Sequence, residues 1–179
     1  MSTQKIIANE KINPQKVNQA CQIIASLQQE LKEMMTQGYG PFLAAVYDEN
    51  GHLIAKEANT VVQTQCSHNH AEMNTIKKAQ EVLKTYDLSP YNLSLYVTAE
   101  PCMMCLGGIL WSGIKEVYYG VPSKRVEEIT GFDEGFKPQW LTEFKNRGIT
   151  VYGNLETEAG EQVLKEYVAN GKKVYKPQR

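Results

Sequence analysis

Apolar residues recur every three or four positions at Val17, Ala20, Cys21, Ile24, Leu27, Leu31 and Met34, the period of one helix face laid on a core, and Gly38 ends the run. The stretches FLAAVYD and HLIAKEA that follow read as strands. Glu49-Asn50-Gly51 between them predicts a tight hairpin turn, because Asn and Gly accept the positive φ that such turns require. The polar stretch Gln63-Thr64-Gln65 is expected to be loop. From His70 the helical period resumes with Met73, Ile76, Ala79 and Leu83, Ser89-Pro90 marks the loop beyond it, and LSLYVTA is a buried strand. Pro101 suits a helix start, since it lacks an N–H that would go unsatisfied there, and Met103 to Trp111 continue that helix. KEVYYGV is a further strand, GFDEGFK a loop, Gln139 to Asn146 a helix, ITVYG a strand, and Glu158 to Val168 a final helix. Strands alternating with helices after an opening hairpin predict an α/β fold, a three-layer α/β/α sandwich around a mixed sheet of about five strands. With no internal repeat or linker, residues 1–179 are expected to form a single domain.

Composition narrows the function. Lys+Arg 19 against Asp+Glu 20 gives a net charge of −1, a poor balance for gripping nucleic-acid phosphates or an anionic membrane. No apolar run approaches the roughly 20 residues of a membrane span, and a cytoplasmic location is expected. The Lys-rich ending GKKVYKPQR is expected to be solvated. Only 4 Cys and 3 His are present, so any metal or redox chemistry rests on few residues and their spacing is informative.

That spacing converges on one constellation: His70-Ala71-Glu72 opening a helix, the strand LSLYVTA, and Pro101-Cys102-Met103-Met104-Cys105 opening the next helix. Cys102 and Cys105, three apart, share a face of the first helical turn, where both sulfurs can reach one ion at about 2.3 Å. The partial positive charge of a helix N-terminus favours the thiolates that bind metal. His70 supplies a third ligand, and three protein ligands leave the fourth tetrahedral position for water, the arrangement of a catalytic zinc. Glu72, at a first turn, can lean into the same pocket; zinc lowers the pKa of water to roughly 7, and this carboxylate can take and return the proton. Two other readings of the residues compete: a structural zinc with His68 or Cys66 as fourth ligand, and a redox C-x-x-C pair. Both leave Glu72 without a role, and the redox pair also leaves out His70.

H-x-E with P-C-x-x-C is the general signature of zinc nucleobase deaminases. From about Pro41 to Phe136 the chain resembles the cytidine/deoxycytidylate deaminase-like zinc superfamily. Gly40-Pro41-Phe42, Asn59, His70-Ala71-Glu72, Glu100 to Gly108, Trp111 and Gly131 to Phe136 are most similar to the bacterial guanine deaminase branch. The resemblance implies Zn2+ as cofactor, a free-base substrate, guanine first, and a homodimer. It implies further that Glu134, or its neighbour Asp133, bonds the purine edge, that Asn59 and Ala71 contact the base, and that Phe42 and Trp111 pack on its ring. From the residues alone, Phe42 and Trp111 could equally fill the interior, Asp133-Glu134 could be a solvated loop, and Asn59 could end a strand. Leu43 departs from the Gly usual in that branch. The helix, strand and helix after Phe136 are more like the endings of cytosine and tRNA-adenosine deaminases, which stand as the alternative reading.

Overall fold

The computed structural model describes residues 6–7, 13–137 and 139–173. Helix α1 (Pro14–Thr36) starts where the sequence supplies a start: the Asn13 side chain accepts from the N–H groups of Gln15 and Lys16, and Pro14 fills the first helical position. The hairpin follows as β2 (Leu43–Tyr47) and β3 (Leu53–Ala58), closed by the Asp48 N–H donating to the His52 carbonyl and by Gly51 at φ +82°. The short helix α2 (Val61–Thr64) replaces the loop expected around Gln63. Helix α3 (Ala71–Leu83), strand β4 (Ser94–Ala99), helix α4 (Met103–Ser112) and strand β5 (Glu116–Val121) come next. Helix α5 (Ser123–Thr130), unforeseen in the sequence, then precedes the 131–137 loop. Helix α6 (Trp140–Asn146), strand β6 (Thr150–Gly153) and helix α7 (Thr157–Ala169) complete the order, and a two-residue strand β1 (Ile6–Ile7) pairs with β6.

The sheet runs β1-β6-β5-β4-β2-β3. Strands β4, β5 and β6 are parallel, β2 is antiparallel to both β3 and β4, and β1 is antiparallel to β6. This is the mixed sheet of five strands that was expected, extended by one short edge strand. Strand alternation sorts its side chains between two cores. Leu43, Ala45, Tyr96, Tyr118 and Tyr152 meet α1 and α7 on one face. Ala44, Val46, Leu95, Val97, Val117, Tyr119 and Val151 meet residues of α3, α4 and α6, among them Ile76, Ile109 and Phe144, on the other. On the first face the Tyr96, Tyr118 and Tyr152 rings stack at 4.7 and 4.8 Å, so three neighbouring strands present one aromatic ladder to α1. Both layers of helices are therefore dictated by period-2 strands, and the loops at the carboxyl ends of β4 and β5 are left to build a site.

Candidate active site

Two helices begin at the same place. His70 is the N-cap of α3 and Cys102 the N-cap of α4, and neither side chain caps its helix with a hydrogen bond. Ser, Thr, Asp or Asn would do better there, so two local preferences are surrendered to bring His70, Cys102 and Cys105 together. Pro101 stands one residue ahead of the cap rather than at the first helical position.

The ligand atoms of His70, Cys102 and Cys105 lie within 4.8 Å of one another, and no other such trio occurs among the described residues. Neither Cys66 nor His68 joins them. The Cys102 and Cys105 sulfurs are 3.6 Å apart, and His70 Nδ1 lies 3.5 Å from the first and 3.7 Å from the second. A tetrahedral zinc with bonds of about 2.3 Å to sulfur and 2.0 Å to nitrogen needs its ligand atoms roughly 3.5–3.8 Å apart, so the trio fits that ion. Electrostatics agree. The neighbouring Cys105 group, then His70, pull the Cys102 thiol down to about 4 against the opposing effect of burial. Contact with Cys102, then burial, pushes Cys105 up. A dication bound between them would favour both sulfurs as thiolates. Burial pulls the His70 imidazole down, but Cys102 and the charge of Glu72 leave it above its ordinary value.

Glu72, in the first turn of α3, is buried at 5% exposure. Desolvation, then the Cys102 charge, raises its carboxyl to about 7, where one group can both accept and donate a proton near neutral pH.

His70, Glu72 and Cys102 open onto a cavity of about 430 Å3, within the usual size of small-molecule pockets. Phe42, Asn59, Asp133 and Glu134 line it as well. Asn59 is held by its backbone, whose N–H donates to the Phe42 carbonyl and whose carbonyl accepts from Gly40, while its Oδ1 accepts from the Val61 N–H. The acidic pair divides. Asp133 is exposed and its Oδ1 accepts from the Gly135 N–H of its own loop, whereas the Glu134 side chain is 9% exposed and reaches inward. Burial pushes Glu134 above its usual range, although Lys137 and Ser123 pull the other way.

Two expected contacts are not brought to this cavity. Trp111 is 90% exposed on the outer side of α4, and Ala71, fully buried in the first turn of α3, is not among the lining residues. Conversely, Phe132, Val62, Met104 and Tyr167 line the cavity, and Phe132 sets its ring edge-on to Phe42 at 5.6 Å. Phe132 was visible as the aromatic of the 131–136 segment, but nothing local fixes which way it turns. Lys173, expected in a solvated ending, also reaches the lining, its carbonyl accepting from the Tyr167 hydroxyl. Residues 174–179 lie outside the described residues.

No helix among the described residues is long and apolar enough to cross a membrane. A curated relative, the guanine deaminase of Bacillus subtilis, is 40% identical over 97 residues, 54% of this chain; the chain spans 60% of that enzyme's length. The tRNA-specific adenosine deaminase of the same organism is 35% identical over 133 residues, 73% of this chain and 78% of that one. Among solved structures, a guanine deaminase from Nitrosomonas europaea aligns at TM-score 0.78 with 38% identity, covering 82% of each chain. A further structure, solved in complex with 2,6-diaminopurine, aligns at TM-score 0.82 with 33% identity, covering 94% of this chain and 96% of that one. The model of the cytidine and deoxycytidylate deaminase zinc-binding region matches residues 17–121, a stretch that contains His70, Glu72, Cys102 and Cys105 together with strands β2 to β5, and the chain belongs to that zinc-binding deaminase family.

Proposed function

We propose that the protein is a zinc-dependent hydrolase that converts free guanine and water to xanthine and ammonia. The observation that carries this reading is the meeting, in one cavity, of the His70–Cys102–Cys105 trio and Glu72 with Asn59 and the buried Glu134. When bound at the trio, zinc supplies Lewis acidity and a water made acidic enough to attack at neutral pH. Glu72 would carry one proton of the attacking water to the ring nitrogen beside the carbon under attack, and then the second proton of the added hydroxyl to the amine, which departs as ammonia and leaves the carbonyl. Glu134 accepts from the N–H donors of the guanine edge, a charge-assisted bond that gains strength in a water-poor cavity. Asn59, just past β3, bonds the base, and Phe42 with Phe132 packs on its ring. The likeness to two guanine deaminases supports the choice of base. Ammonia release over a panel of free bases, nucleosides and an anticodon stem-loop tests it. Guanine is expected to be turned over and the stem-loop not; turnover of the stem-loop alone would transfer the reading to tRNA adenosine, the alternative that a net charge of −1 disfavours.

Gly40 gives a second test of the base contacts. A Cβ at this position would stand 2.8 Å from Asn59 Oδ1, 3.0 Å from its Cγ and 3.2 Å from its Cβ, so Gly40→Ala is expected to displace Asn59. The KM for guanine should rise about tenfold while Tm changes by no more than a few degrees, since a hydrogen bond to the base is lost but no core atom. An unchanged KM would remove Asn59 from the binding set.

The homodimer belongs to the same proposal. Trp111 at 90%, Phe136 at 79% and Met103 at 43% exposure place large apolar groups on the outside of α4 and its adjoining loop, and Met103 and Phe136 also line the cavity. A second copy seated there would cover Trp111 and wall the cavity mouth. Sedimentation is expected to give twice the 20.2 kDa chain mass, and Trp111→Glu should yield the monomer. A wild-type monomer at micromolar concentration would end this part of the reading. A cytoplasmic location goes with it, because a reducing compartment keeps Cys102 and Cys105 available to metal.

A further inference from the structure

We propose that Lys137 and Ser123 are positioning residues for base recognition, clamping one carboxylate oxygen of Glu134 so that the other is offered to the substrate. The inference rests on the role given to Glu134 above and assigns the means by which that role is achieved. Glu134 sits on a loop with no secondary structure of its own, yet its carboxylate is bound as firmly as a core group. Its Oε2 accepts from the Ser123 hydroxyl at 2.6 Å and from Lys137 Nζ at 3.0 Å, and Nζ also meets the Ser123 hydroxyl. Oε1 takes no hydrogen bond from the described residues, so it is the oxygen left to accept from a ligand.

Lys137 is not a solvated lysine. Its side chain is 8% exposed, and a buried ammonium is costly unless it is paired. Here it is paired twice, with Glu134 and with Glu100 Oε1 at 3.6 Å. Glu100 follows β4 and its other oxygen accepts from the Ser123 backbone N–H at 2.9 Å. One ammonium therefore ties the 131–137 loop to the strand end that leads into Cys102 and to the start of α5. Two carboxylates against one cation leave the cluster net negative, the sign that suits the donor-bearing edge of an amino-purine and opposes a base presenting acceptors there. Without Lys137 the same two carboxylates repel, and Glu134 has only Ser123 to keep it in the cavity.

A double-mutant cycle on the zinc-loaded protein tests this, with kcat and KM for guanine from ammonia release and Kd for 8-azaguanine by calorimetry. Lys137→Met is expected to raise KM and Kd about tenfold or more. In a Glu134→Gln background the same change should have no further effect, because the residue it acts through is already lost. Ser123→Ala, which deletes one bond and no charge, should give a smaller rise in Kd with the same dependence on Glu134, and it keeps the test if Lys137→Met does not fold. Equal effects in both backgrounds, or a lowered Tm with KM and Kd unchanged, would overturn the proposal in favour of a structural ion pair. A crystal structure of the zinc-loaded Lys137→Met variant supplies a readout independent of substrate: Glu134 should have left the cavity, and a carboxylate that had not moved would refute the clamp. If the wild-type protein failed to turn over guanine, the substrate reading would fall separately, and the structure of the variant would still decide the clamp.

Discussion

Replacing Glu72 with Gln is expected to lower kcat for guanine about a thousandfold, within the range that a positioned proton carrier contributes, and to leave zinc bound at one ion per chain. The change keeps the shape of the side chain and removes only its ability to move a proton. The reason for expecting a catalytic loss without a structural one lies in the environment of the group. Glu72 is buried, and desolvation pushes its carboxyl above the ordinary value to about 7. A raised folded-state pKa means that the fold disfavours the carboxylate, so in the metal-free protein its ionisation subtracts stability as pH rises from the unfolded-state value through 7. A neutral amide removes that cost, and the metal-free variant should melt no lower than the wild type at pH 8. Metal content by atomic absorption, kcat by ammonia release and Tm by calorimetry check the three parts. Retained activity would remove Glu72 from proton transfer.

Cys105→Ser is expected to abolish turnover by a different route, through loss of the ion. Cys105 is fully buried at the first turn of α4, 3.6 Å from the Cys102 sulfur and 3.7 Å from His70 Nδ1, so its sulfur has no alternative position. The zinc affinity should fall by more than the roughly 10- to 100-fold that losing an outer hydrogen-bond partner costs. Because zinc binds the folded chain, adding it should raise the wild-type Tm, by about 4 kcal/mol of stability at a thousandfold excess over Kd, and leave that of Cys105→Ser unchanged. Chelation of the wild type should reproduce the inactivity of the variant, and zinc should reverse it only in the wild type. A Cys105→Ser protein that bound zinc with unchanged affinity would exclude this sulfur from the metal site.

The two predictions concern residues whose grouping was legible in the chain. Cys102 and Cys105 are three apart and His70 and Glu72 two apart, and each pair falls in the opening turn of a helix whose apolar period marks it. At such short range the backbone geometry leaves the side chains little choice of direction. The strands were legible as short, largely apolar runs such as SLYVTA and EVYYGV, the pattern of strands buried on both faces between helices. Weaker local signals failed. Val61–Thr64 forms a short helix where polar residues suggested loop, its last carbonyls turned by Gln65 at φ +54°. Helix α5 carries only Val126 and Thr130 as buried residues, too few for a period to show, and is held from outside by Arg125, whose Nε and Nη2 bond the Glu161 carboxylate of α7.

The loop that completes the cavity illustrates what local pattern cannot supply. In Gly131 to Lys137 every residue could face solvent, and Asp133 and Glu134 are chemically near-equivalent. Their roles separate because Ser123 of α5 and Lys137, itself paired with Glu100 beyond β4, hold the Glu134 carboxylate and not that of Asp133. Trp111 shows the converse error: an aromatic next to the motif suggests the pocket, but helix α4 turns that position outward.

The residue pattern was enough for the layered α/β frame, the Cys102–Cys105 pair and the His70–Glu72 pair, because each depends on spacing within one helix start or on the apolar run of a strand. Packing settled that the Glu134 carboxylate is buried and held while Asp133 stays exposed at the cavity edge, that Phe132 joins Phe42, that Trp111 faces away, and that Lys137 is buried between two carboxylates. Those outcomes depend on partners far apart in the chain, whose meeting is set by packing of the sheet and its helices and leaves no mark in the local pattern of residues.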